Sequence, residues 1–129
     1  MRNEAFAKLL EDEFSKIKLI RENTHLEYAG RDVFENFNRR AEELGISRKQ
    51  ALGVLMFKHL DTIRKFIYGE PGLEGREPIE GRVRDAILYL YLLLGIITED
   101  KARLQADSIS IQQAKVQTGR DEYMPMNPR

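Results

Sequence analysis

The sequence predicts an all-α protein with a four-helix core, and three observations predict it. Apolar residues recur at steps of three and four through most of the 129 residues. Glycine and proline fall between those runs, and no stretch alternates apolar and polar residues long enough to make a strand. The expected helices are 3–22, 32–44, 47–68 and 78–97, followed by an appended C-terminal segment, helical or extended. The length is near that of one ordinary domain. Residues 1–118 are therefore expected to form a single helical domain, and 119–129 a tail that is mobile or docked on a partner.

Phe6, Leu9, Leu10, Phe14, Ile17 and Ile20 set one apolar stripe on the first helix. Asn23, Thr24 and Gly30 place its end before the connector HLEYAG. Asp32 is the expected cap of the second helix, which carries Val33, Phe34, Phe37, Ala41 and Leu44 on one side and stops at Gly45. Ser47 and Gln50 have the spacing of a reciprocal cap that opens the third helix. GEPGLEGREP reads as a loop, and Pro78 suits the first turn of the fourth helix because it has no N–H. Glu77 and Glu80 flank the positive end of that helix. From Ala86 on, the helix is apolar on most of its circumference. Thr98, Glu99 and Asp100 look like a fresh cap and acidic first turn, after which Ala102, Ala106, Ile109, Gln113 and Val116 form a weak heptad seam. Helices apolar on more than one side imply a homo-oligomer.

Composition narrows the function. With 21 basic and 21 acidic residues the net charge is zero, which argues against a general polyanion binder or a basic membrane-surface protein. No cysteine is present, so disulfides, thiolate nucleophiles and thiolate metal sites are excluded. Two histidines, His25 and His59, are too few for a three-histidine metal site within one chain. The start MRNEAFAKLLEDEF has acids where a secretory signal has its apolar core, and the longest apolar run, Ala86 to Ile97, is too short to cross a bilayer. A cytoplasmic protein is expected, in the host cytoplasm if the chain is viral.

Three patterns bear on chemistry. In AEELGISRKQAL, Ala41, Gly45, Ile46, Ser47 and Ala51 stand where a helix-turn-helix DNA-binding motif places its small, turn, buried and cap residues. Only Arg48, Lys49 and Gln50 then offer polar groups for base edges before the helix turns apolar, so duplex DNA is not the expected partner. A set of carboxylates, Asp61, Glu77, Glu80 and Asp85, with Glu35, Glu42 and Glu43 on the second helix, could hold Mg²⁺ against phosphates, but Asp61, Glu80 and Asp85 pair equally well with Lys65, Arg84 and Arg82, three or four residues away. Cations and aromatics gather around the same helices. Lys58, Arg64, Arg82 and Arg84 suit phosphates; Tyr89, with Tyr28, Phe34, Phe37, Tyr68 and Tyr91 as neighbours, suits a flat base; and Asn36 could hydrogen-bond a base edge. His59 reads as a partly buried histidine rather than a ligand or base.

DVFENFNRRAEELGI, KHLDTIRKF and EPIEGRVRDAILYLYLLL together resemble a group of small helical phage proteins, the nucleotide-modification-associated domains. These are similar in turn to the all-α NTP pyrophosphatases. The shared pattern is Phe34 to Phe37 with Asn36, then Lys58 and Arg64, then Glu77, Glu80, Asp85 and Tyr89, and it spans Tyr28 to Ile97. The resemblance implies a small nucleotide-derived ligand, alone or with Mg²⁺. The pyrophosphatases carry a Glu-Glu-x-x-Glu helix and a Glu-x-x-Asp helix. Here Ile46 stands in place of the third acid after Glu42 and Glu43, and Arg82 in place of the glutamate before Asp85. The departure favours binding or sequestration, with no cofactor required. The alternatives are a Mg²⁺-dependent nucleoside triphosphate pyrophosphohydrolase, using Asp61, Glu77, Glu80 and Asp85 as metal ligands, and a DNA-binding or protein-interaction module.

Overall fold

The computed structural model describes residues 1–27, 32–73 and 75–123, with the side chains of all but 24–27 and 119–123. Among the described residues every regular element is helical: α1 (Asn3–Glu27), α2 (Glu35–Leu44), α3 (Arg48–Ile67) and α4 (Ile79–Tyr123). None of these helices is long and apolar enough to cross a membrane. The chain divides into two compact units, Met1–Leu93 and Leu94–Arg129. The first holds α1, α2, α3 and the opening part of α4, which make the four-helix core.

The turn between α2 and α3 follows the local chemistry of its residues. Gly45 takes φ 66°, the left-handed conformation that glycine adopts without a Cβ penalty. The Ile46 N–H then donates to Ala41 O at 3.0 Å and closes the helix end. Two residues on, the Gln50 N–H donates to Ser47 Oγ at 3.1 Å and the Ser47 N–H donates to Gln50 Oε1 at 2.9 Å. This reciprocal cap satisfies two orphan donors of α3. Arg48 lies over the Phe34 ring at 5.3 Å. Gln50 and Arg48, the polar residues that a recognition helix would present, are thus engaged in holding the turn.

The first unit buries Phe34, Phe37, Ala41, Ala51, Leu52, Met56 and Ala86, with Ile17 from α1. Each large side chain so buried contributes roughly 1.5–3 kcal/mol of transfer free energy. The other members of the α1 stripe, Phe6, Leu9, Leu10, Phe14 and Ile20, remain 38–56% exposed. Two contacts tie α1 to α4. Arg84 Nε and Nη2 donate to the two Glu13 carboxylate oxygens at 2.6 and 3.2 Å, and the Phe14 and Tyr91 rings lie 6.1 Å apart.

Three element boundaries differ from expectation, each for a local reason. Helix α1 continues through Asn23 and Thr24 to Glu27. Asp32 does not cap α2. Its Oδ1 accepts from the Phe34 N–H at 2.8 Å, which makes a turn that delays the helix to Glu35. Thr98 does not open a new helix either. Its hydroxyl donates to Leu94 O at 2.8 Å, so it bonds back into a continuing α4 instead of capping a fresh N-terminus. In the second unit α4 runs on to Tyr123, with the anticipated seam from Ala102 to Val116 exposed; 124–129 lie outside the described residues.

The Glu13–Arg84 pair gives a direct check on the seating of α1. The guanidinium, helped by Lys16, pushes the Glu13 carboxyl down from 4.5 to about 2. A depressed carboxyl stabilises the fold above its unfolded value, and that stability is lost as pH falls from 4.5 towards 2. In Arg84→Met, side-chain carboxyl NMR should show Glu13 titrating higher, towards 4.5 but still held below it by Lys16, with less stability lost over that window; an unmoved Glu13 would disprove the pairing.

Candidate functional site

Within the first unit α1, α2, α3 and α4 surround a cleft of about 310 Å³. That is at the small end of the range for ligand sites. Leu55, Leu88 and Leu92 supply apolar wall, Phe37 and Tyr89 supply aromatic surface, and Asn36, His59 and Asp85 supply polar groups. Helix periodicity accounts for the grouping. On α4, Asp85, Leu88, Tyr89 and Leu92 lie at steps of three, one and three, and so share one side. On α3, Leu55 and His59 are one turn apart, and on α2 Asn36 precedes the buried Phe37.

Tyr89 is the centre of the arrangement. Its ring meets Phe37 edge-on at 6.3 Å and His59 at 5.5 Å with an interplanar angle of 31°. Burial, and then the Asp85 carboxylate, push its hydroxyl above the ordinary tyrosine value. It remains a neutral donor and acceptor at physiological pH. His59 is only 7% exposed. Its Nδ1 lies 3.1 Å from Arg82 Nη1, and Arg82 Nε is held in turn by Glu77 Oε1 at 3.0 Å. Asp85 Oδ2 is 3.8 Å from the same Nδ1.

Burial pushes the His59 imidazole below its ordinary value; Arg82 and Lys58 act the same way, while Asp85 and Glu77 oppose them. The desolvation cost of a charged ring outweighs the attraction of the nearby acids.

The charges around the cleft run against a bare phosphate site. Among the described residues that line it are three carboxylates, Asp32, Glu35 and Asp85, and one guanidinium, Arg21. Such a recess favours N–H donors, or an anion accompanied by a cation.

The sequence-predicted residues divide accordingly. Asn36 and Tyr89 line the cleft, as does Asp85 of the proposed metal set. Arg82 stands behind His59. Lys58 is exposed on α3, and Arg64 is occupied by Asp61 at 3.1 Å and Glu70 at 3.2 Å. Arg84 is committed to Glu13. Asp61 also meets Lys65 at 3.3 Å, Glu77 meets Arg82, and Glu80 is exposed in the first turn of α4. Among the described residues no three acids or histidines come together as a metal-binding group. Tyr28 lies outside the described residues. Tyr68 is 74% exposed, and Tyr91 faces Phe14 rather than the cleft residues.

Sequence reasoning passed over Arg21, named Glu35 only among the carboxylates, and set His59 aside as a site residue. For His59 a signal existed: it falls in step with Leu52 and Met56 on the buried side of α3, where a titratable ring needs a polar reason to be. Comparison with known protein families, with curated proteins and with solved structures finds no match to this chain.

A buried neutral histidine makes stability depend on pH with a definite sign. His59 is depressed in the folded protein, so the unfolded chain takes up a proton first as pH falls through 6.5, and stability declines below that point. Thermal melts between pH 7.5 and 5 should show a falling Tm that is flattened in His59→Gln; equal slopes in the two proteins would mean that His59 is not buried neutral.

Proposed function

We propose that this protein binds a small nucleotide-derived ligand in the 310 Å³ cleft and does so without hydrolysing it. The observation that carries the reading is the meeting of Asn36 from α2 with Asp85 and Tyr89 from α4, two segments of the same sequence pattern, around one recess. The base packs on the Tyr89 ring beside Phe37, whose edge-on contact keeps that ring in place. Asn36 Oδ1 already accepts from Arg39 Nη2 at 2.9 Å, so its amide NH₂ group is what it offers to a base edge. Asp32, Glu35 and Asp85 offer acceptors for ring N–H groups. The phosphates lie towards Arg21 and the solvent side, because three carboxylates would repel them from the interior.

Binding rather than turnover follows from the donor set. The pyrophosphatase chemistry needs several carboxylates holding a metal on the phosphates. Here Asp61 and Glu77 are engaged with Arg64, Lys65 and Arg82, and Arg82 itself supports His59. A phage-type protein of this kind would act in nucleotide metabolism or sequester a host nucleotide signal. The exposed Phe6, Leu9 and Leu10 of α1 favour a homo-oligomer, in which that stripe is covered by another copy.

Calorimetric titration with ribo- and deoxynucleotides tests the reading. Asn36→Ala and Tyr89→Leu should each weaken binding about tenfold, a loss of the order of one hydrogen bond or stacking contact. Arg64→Ala should leave it unchanged. Loss of binding in Arg64→Ala with none in Tyr89→Leu would move the site elsewhere. Release of monophosphate from a dNTP with Mg²⁺, abolished in Asp85→Asn, would establish the hydrolase instead.

A further inference from the structure

His59 has two ring nitrogens, and one of them is fixed by its surroundings. Nδ1 lies 3.1 Å from Arg82 Nη1. A guanidinium carries only donors and stays protonated throughout the working pH range, so Nδ1 must accept. The single proton of the neutral ring is then on Nε2. Asp85 Oδ2 approaches the same Nδ1 only to 3.8 Å, beyond hydrogen-bond reach, so it does not demand the opposite tautomer. Glu77 holds the Arg82 guanidinium at Nε and leaves Nη1 aimed at the ring.

None of the contacts of His59 among the described residues uses Nε2. Yet no fully buried side-chain nitrogen or oxygen of the described residues lacks a partner. Both statements hold only if Nε2 reaches an opening, and the recess that His59 lines is the cleft.

We infer that His59, positioned by Arg82, presents a fixed N–H donor to the cleft and makes it select oxo-bases over amino-bases. The inference rests on the nucleotide reading of the cleft. Guanine O6 and uracil or thymine O4 are acceptors, whereas adenine N6 and cytosine N4 are donors at the corresponding positions. A donor facing Nε2–H leaves two poorly solvated polar groups unpaired, a mismatch of the order of tenfold in affinity. Arg82 acts through His59 and not on the ligand. Without it, a shift of less than about 1 Å brings the Asp85 carboxylate, now 3.8 Å away, within reach of Nδ1 and favours the proton there, which turns Nε2 into an acceptor. Arg82→Lys, whose ammonium also only donates, retains the original tautomer if it reaches the ring.

The test uses the full-length protein at pH 8 with GMP, UMP, AMP and CMP. Long-range ¹H–¹⁵N spectra read the His59 tautomer, and calorimetry reads affinity. The wild-type ring should show the Nε2–H pattern, with GMP and UMP bound about tenfold more tightly than AMP and CMP. Arg82→Met should shift the ring towards Nδ1–H and remove or reverse the preference; Arg82→Lys should preserve both. An Nδ1–H ring in the wild type overturns the inference. So does binding in which AMP and CMP equal or exceed their oxo counterparts, and that outcome leaves the cleft a nucleotide site. Failure of all four nucleotides to bind overturns both readings. Should Arg82→Met not fold, the wild-type spectrum and preference decide by themselves.

Discussion

The site depends on the ring contacts that Tyr89 makes with Phe37, edge-on, and with His59, tilted. Ring separations of 6.3 and 5.5 Å join α2, α3 and α4 through one side chain, and the cleft is the space left beside that junction. Aromatic pairs in edge or tilted geometry contribute about 0.5–1.5 kcal/mol beyond the area they bury. They also fix the orientation of the Tyr89 ring. The polar side of the stack is held separately, by Glu77 on Arg82 and Arg82 on His59. Packing and hydrogen bonding therefore place the same imidazole from two directions.

Three of the four cations that the sequence offers for phosphate are already used inside the molecule. Arg84 fastens α1 through Glu13, Arg64 bridges Asp61 and Glu70, and Arg82 serves His59. The polar groups that line the recess are mainly carboxylate, amide, imidazole and phenol, set in an apolar wall, chemistry suited to the edge and face of a base more than to a phosphate chain. A zero net charge is consistent with this economy, since Arg64, Arg82, Arg84 and Arg103 are each paired with a carboxylate within the fold.

The sequence made visible what is decided locally. Gly45, Ser47 and Gln50 specify the α2–α3 turn within six residues, and the turn forms as those residues require. The step of four between Asp85 and Tyr89 announces a shared side of α4. Non-local matters were out of reach. Arg84 and Glu13 are 71 residues apart, and no spacing rule connects them. Thr98 carries every local mark of a helix start, but its hydroxyl has an alternative acceptor one turn back and takes it. His59 was undervalued for a related reason: the sequence shows the ring on an apolar stripe, but the donor that fixes its tautomer comes from α4, 23 residues on.

The most direct test of the account is a map of backbone amide shifts on adding GMP. Perturbations concentrated at 32–37, 55–59 and 85–92 are expected, with the largest beside Tyr89. Perturbations confined instead to the exposed stripe of α1, or to α4 beyond Leu94, would contradict the claim that the recess beside the Phe37–Tyr89–His59 stack is where this protein meets its ligand.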